Sequence, residues 1–265
     1  MPDPFVRESG AGPAMVCLHS NAASSSQWRE LMDLLAPHYH VLAPDGYGAG
    51  KSPAWPTDRR MRLADEVALI EPVLARAGAS YALVGHSYGG AVALKAALMH
   101  PERVSALVLY EPTLFALVAA HGPSATDVDG IRDAVARSVA ALAAGDEDAA
   151  ARHFIDFWMG EGAWAATPPQ RRPAIAAAVR NVQGWGEVLF GESTPLADFA
   201  ALEMPALYMT GASSPLSAHA VARVLQPVLP RCECVEFAGL GHMGPLTHAR
   251  EVNERIASFL RSVVP

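Results

Sequence analysis

Ser87 stands in Leu83-Val84-Gly85-His86-Ser87-Tyr88-Gly89-Gly90, a Gly-x-Ser-x-Gly run between a strand-like apolar stretch, Tyr81 to Val84, and a helix-like one, Ala91 to Leu98. A serine on such a strand-to-helix turn projects its hydroxyl at a helix N-terminus, where free N–H groups favour a developing negative charge. The chemistry this suits is nucleophilic attack on a carbonyl carbon. Serine is a weak nucleophile at its own pKa and needs a base. The sequence offers one in Gly239-Leu240-Gly241-His242-Met243-Gly244-Pro245, where His242 is framed by glycines directly after a predicted strand. Acyl transfer also builds charge on the carbonyl oxygen, which backbone N–H donors must meet. Tyr88, the residue after the nucleophile, supplies one donor. Asn21, in Leu18-His19-Ser20-Asn21-Ala22-Ala23-Ser24-Ser25-Ser26-Gln27-Trp28, is the candidate for the other.

Positioning these groups requires a sheet. Short apolar runs at Ala14 to Leu18, Tyr39 to Ala43, Tyr81 to Val84, Val104 to Leu109, Ala206 to Met209 and Cys234 to Phe237 alternate with helical patterns. This predicts an α/β fold, a mostly parallel sheet with helices on both faces. Leu63, Val67, Ile70 and Leu74 recur at helical spacing, as do Val221, Val224, Leu225 and Val228, and a closing helix is predicted from about Ala249 to Val263. The alternation breaks over 113–195, an alanine-rich helical block carrying Phe154, Phe157, Trp158, Trp185 and Phe190. That block reads as an inserted cap over the strand ends, with 1–112 and 196–265 as the core. Trp28, Phe157, Trp158 and Trp185 are candidates to line a substrate pocket, against the alternative that the aromatics are simply the cap's own core.

Composition narrows the class. A 265-residue chain that is 51% hydrophobic can bury a large core. The net charge of −7, with no basic patch, argues against nucleic acid as a partner. Met-Pro-Asp-Pro-Phe-Val-Arg-Glu lacks the pattern of a signal peptide and no apolar run has membrane-spanning length, so a cytoplasmic protein with no membrane partner is expected. Cys17, Cys232 and Cys234 read as small buried apolar residues; Cys-x-Cys as a metal site lacks partner ligands nearby. Asp45-Gly46-Tyr47-Gly48-Ala49-Gly50-Lys51-Ser52 has a superficial likeness to a phosphate loop, but three residues rather than four separate Gly46 from Gly50-Lys51-Ser52. It reads as a tight structural turn. No metal, nucleotide or flavin cofactor is implied, the expected partner is a small-molecule substrate, and oligomeric state leaves no mark in the sequence.

The order of these parts, His19 with its loop, Asp45 to Ser52, the turn at Ser87 and Gly241-His242, resembles the α/β-hydrolase superfamily in its capped, esterase-like branch. The likeness covers nearly the whole chain. It implies a serine hydrolase that cleaves an ester-type acyl bond of a small, mostly apolar substrate through an acyl-enzyme. The chain departs from the family in three places. Ser20 replaces the usual glycine after the histidine. The first strand of the family's opening hairpin is expected to be missing or shortened, since only Phe5 to Glu8 precede Gly10. Ser214, in Gly211-Ala212-Ser213-Ser214-Pro215, stands where most members carry the acidic partner of the histidine. Some branches instead place that acid after the strand following the nucleophile helix, and here Leu109-Tyr110-Glu111-Pro112 supplies Glu111, with Asp45 and Asp198 as the alternatives. A perhydrolase or haloperoxidase-like activity, or carbon–carbon bond hydrolysis, would use the same parts. A dehalogenase would need a carboxylate at position 87. From another class, a non-catalytic binding protein would keep the pocket, and Ser214 is the feature pointing that way.

Overall fold

The computed structural model describes residues 3–56 and 58–264; Met1, Pro2, Thr57 and Pro265, at the ends of or within the core segment expected from the sequence, lie outside them. Seven strands form one sheet: β1 Val6–Ser9, β2 Ala14–Leu18, β3 His40–Pro44, β4 Tyr81–His86, β5 Val104–Tyr110, β6 Ala206–Gly211 and β7 Cys232–Phe237. Their spatial order is β1-β3-β2-β4-β5-β6-β7, with β1 antiparallel to β3 and all other pairs parallel. The expectation that the opening hairpin is missing a strand or shortened agrees with the sheet: a single short strand, β1, precedes β2, its four residues pairing with β3 from Val6 opposite Pro44 to Ser9 opposite Val41.

The central strands are apolar throughout because both sheet faces are covered, and side chains alternate between them. On β2, Ala14, Val16 and Leu18 enter one core, and Met15 and Cys17 the other; on β4, Tyr81 and Leu83 part from Ala82 and Val84 in the same way. The first core is covered by α2 Leu63–Arg76, α3 Tyr88–Met99 and α10 Leu216–Leu225. The second is covered by α1 Arg29–Leu35 and α12 Ala249–Val263. Leu63, Val67, Ile70 and Leu74, predicted as a stripe, are all buried on α2. The cysteine expectation holds for Cys17 and fails for the others. Strand β7 is the sheet edge, so Cys232 is half-buried and Cys234 exposed, their sulfurs 3.7 Å apart.

Between β5 and β6 the chain is helical: α4 Phe115–His121, α5 Asp129–Ala143, α6 Glu147–Met159, α7 Ala163–Ala166, α8 Arg172–Val179 and α9 Val182–Gly191. The short α11, Gly244–Thr247, follows β7. Among the described residues no helix is long and apolar enough to cross a membrane.

Candidate active site

Strand register brings the candidate residues together. In the β4–β5 ladder His86 lies opposite Tyr110, so the next residues, Ser87 and Glu111, leave the sheet side by side. Ser87 has φ 57° and ψ −118°, a strained conformation for a side-chain-bearing residue. It is held by its own N–H, which donates to Tyr110 O at 2.9 Å, and by its carbonyl, which accepts from Ala91 N–H at 3.1 Å. The flanking glycines are required by space rather than by dihedral angle. A Cβ on Gly85 would lie 2.5 Å from Gly89 O and 2.6 Å from Gly90 Cα, and one on Gly89 would collide with Leu18 O. Among the described residues the non-glycine positions with positive φ are Ala22, Ser87 and Glu111, at 55°, 57° and 45°. All three lie in this one region, in keeping with the tendency of backbone strain to collect at functional sites.

Ser87 Oγ is 2.9 Å from His242 Nε2, and His242 Nδ1 is 2.6 Å from Glu111 Oε2. All three residues are buried. With the carboxylate accepting from Nδ1–H, Nε2 is left to accept the serine proton, which is the tautomer a base must have. The second oxygen of Glu111, Oε1, accepts from Gly211 N–H at 2.7 Å and from the Ser214 hydroxyl at 2.6 Å. Ser214 therefore hydrogen-bonds the carboxylate. The other two acids lie elsewhere: Asp45 accepts from Ser25 N–H at 2.6 Å and Lys51 N–H at 2.9 Å within the Asp45–Ser52 turn, and Asp198 is exposed on a 3-10 turn.

The backbone N–H groups of Asn21 and Tyr88 donate to no other group among the described residues. Their loop is tied down by a network that the sequence did not suggest. Ser20, standing where glycine is usual, donates both its N–H (3.1 Å) and its hydroxyl (3.0 Å) to Gln27 Oε1. Gln27 Nε2 donates to His86 Nδ1 at 3.1 Å, and His86 Nε2–H donates to the carbonyl of His242 at 2.8 Å. Burial holds the pKa of His86 well below the usual imidazole value, which keeps the ring neutral, as this donor–acceptor pattern demands. His19 is also neutral, lowered first by burial; its Nδ1–H donates to Ser20 O and its Nε2 accepts from Gly46 N–H. The loop bearing His242 gains a further tie from Tyr110, whose hydroxyl donates to Gly241 O at 2.8 Å.

Above this cluster lies a cavity of about 1130 Å³, lined by Ser87, His242 and residues of the helices between β5 and β6, Trp158 and Trp185 among them. The Trp158 indole stacks on the His242 imidazole, ring centroids 3.8 Å apart at 24°. Two pocket expectations are corrected. Trp28 ends a 3-10 turn, Ser25–Trp28, that rolls its ring into the core beneath α1 and α12, so it is buried on the far side of the sheet. Phe157 precedes Trp158 by one residue, a rotation of about 100° around the helix, and packs against Trp158 edge-on, away from the cavity. Glu66 was missed. It sits on the apolar stripe of α2 between Leu63 and Val67, an acid on a buried face, and that misplacement was the available signal. Among the described residues no group of three His, Cys, Asp or Glu side chains is placed to hold a metal ion.

The family model for the alpha/beta hydrolase fold matches residues 13–249. The chain belongs to that family. Among relatives of this α/β-hydrolase chain, RutD of Klebsiella pneumoniae subsp. pneumoniae, whose name proposes carbamate hydrolysis, is 27% identical over 259 residues, covering 96% of this chain and 93% of RutD. The 2-hydroxy-6-oxo-6-(2'-aminophenyl)hexa-2,4-dienoic acid hydrolase of Metapseudomonas resinovorans is 34% identical over 110 residues, 38% of this chain. That match spans 36% of the relative's length. Among solved structures, the enol-lactonase from Burkholderia xenovorans LB400 superposes with a TM-score of 0.78 at 18% identity, covering 97% of this α/β hydrolase and 96% of the lactonase.

Proposed function

We propose that this α/β hydrolase is a serine hydrolase that cleaves the acyl bond of a small, mostly apolar ester through an acyl-enzyme. The observation that carries the reading is the buried relay Ser87 Oγ–His242 Nε2 at 2.9 Å and His242 Nδ1–Glu111 Oε2 at 2.6 Å. Ser87 Oγ attacks the substrate carbonyl while His242 Nε2 takes its proton. The carbonyl oxygen becomes an oxyanion that accepts from the N–H groups of Asn21 and Tyr88. Glu111 holds the imidazole in register and balances the imidazolium, its charge fixed by Gly211 N–H and the Ser214 hydroxyl. His242 then protonates the leaving group, and in the second half-reaction takes a proton from the water that releases the acid.

The helical stretch 113–195 acts as the cap, and its aromatic lining, with Phe115, Phe154, Trp158, Trp185 and Phe190 at the cavity, supports an uncharged substrate. Trp158 supports the same chemistry from the other side, because its indole face lies against the imidazole that carries positive charge in the transition state. A fluorophosphonate should label Ser87 with one adduct per chain by mass spectrometry, and Ser87→Ala should remain unlabelled. Absence of an adduct on the wild-type chain would sink the reading.

A further inference from the structure

Beside the main cavity is a small chamber of about 30 Å³, room for one small polar group. It shares Asn21, Ala23, Ala178 and Trp185 with the main cavity, and its wall includes Glu66 and Tyr88. Glu66 is buried, and its carboxyl is only lightly engaged. Oε1 accepts from the Tyr88 hydroxyl and Oε2 from Tyr47 N–H, both at the long distance of 3.2 Å. An ionised carboxylate offers about four acceptor positions, and only two are used here, on a residue that lines the chamber. Burial moves its titration up to about 7, with no cation among the groups that shift it. A buried carboxyl this poorly paired costs stability, which nothing in the proposed relay explains.

The chamber's position assigns it to one side of the substrate. The two N–H donors for the carbonyl oxygen, at Asn21 and Tyr88, belong to residues of its wall, whereas neither Ser87 nor His242 lines it. The leaving group must sit against His242, which protonates it. The chamber therefore faces the acyl side.

Resting on the serine-hydrolase reading above, we infer that this chamber is a subsite for short acyl groups bearing a hydrogen-bond donor, a hydroxyl or a primary amine, which Glu66 accepts. Three near-isosteric esters test it: ethyl butanoate, ethyl 3-hydroxypropanoate and ethyl 3-aminopropanoate, assayed at pH 8. The wild-type kcat/KM should favour the hydroxyl and amine esters over butanoate by roughly tenfold, the discrimination expected of one buried hydrogen bond. Glu66→Leu should abolish both preferences, bringing kcat/KM for the three esters within about twofold of one another, and Glu66→Gln should keep the hydroxyl preference and lose that for the amine. Equal turnover of all three esters by the wild type would overturn the inference, with the chamber holding an ordered water only. Persistence of the preferences in Glu66→Leu would do the same, as would an equal loss on all three esters, which would make Glu66 a prop for Tyr88. Calorimetry on Ser87→Ala reads the subsite apart from the chemistry. That variant should bind ethyl 3-hydroxypropanoate more tightly than ethyl butanoate, a difference that Glu66→Leu in the same background should erase; equal affinities would overturn the subsite, whatever the fate of the acyl-enzyme.

Discussion

Glu111 carries three constraints at once: complete burial, a positive φ of 45°, and hydrogen bonds from His242, Gly211 and Ser214. Glu111→Gln keeps the shape and removes the charge, so ester turnover should fall by up to about ten-thousand-fold with the thermal unfolding midpoint little changed. Turnover within threefold of wild type would show that another group orients His242. Ser214→Asp, the change that installs the family's usual acid, should impair the enzyme. Its carboxylate would stand beside Glu111, and two carboxylates so close cannot both ionise. Steady-state assay of the single variant decides this, and unchanged activity would count against the arrangement. Trp158→Leu removes the indole stacked on His242 and should lower kcat by about fivefold, given roughly 1 kcal/mol for a partly desolvated cation–π contact. A change confined to KM would make Trp158 a substrate contact instead. At this scale the sequence revealed candidate chemistry through residue type and glycine spacing. It did not reveal Gln27 and His86, because a hydrogen-bond chain between residues 59 positions apart has no local signature.

The elements explain why so much of the arrangement was readable. Each strand predicted from an apolar run is present; the central ones, buried on both faces, advertise themselves as continuous apolar stretches, while the edge strand β7 is an alternating, largely exposed one. The short β1 escaped that signal: it is an edge strand of half-buried and exposed residues, Val-Arg-Glu-Ser, with no apolar run to find. Trp28 and Phe157 went wrong for a related reason, because sequence places a residue near a loop or on a helix without fixing its rotation. The turn at Ser87 is the element with least tolerance. Its glycines let β4, β2 and α3 approach within van der Waals contact, so Gly89→Ala should destabilise the chain by roughly 3 kcal/mol or more. Urea unfolding of the soluble variant would measure this, and a loss below about 1 kcal/mol would mean that Leu18 yields easily.

For the molecule as a whole, Glu66 ties stability to pH. Its carboxyl titrates near 7 when folded, against 4.5 as the reference value, with burial as the leading cause. The folded state thus binds more protons than the unfolded state between those values, and stability must fall as pH rises through that window before levelling off above 7. Between pH 5 and pH 8 the loss should be about 2–3 kcal/mol, and Glu66→Gln should remove that difference in urea unfolding. A wild-type and a variant curve of equal slope would refute it. The order of the chain has its own consequence. Ser87 and Glu111 both precede the helices between β5 and β6, and His242 follows them, across the β5–β6 ladder. Severing the backbone within those helices would leave the proposed nucleophile and acid on one fragment and the proposed base on the other. Ester cleavage by the severed protein would then report fragment reassembly, making this fold a natural split reporter.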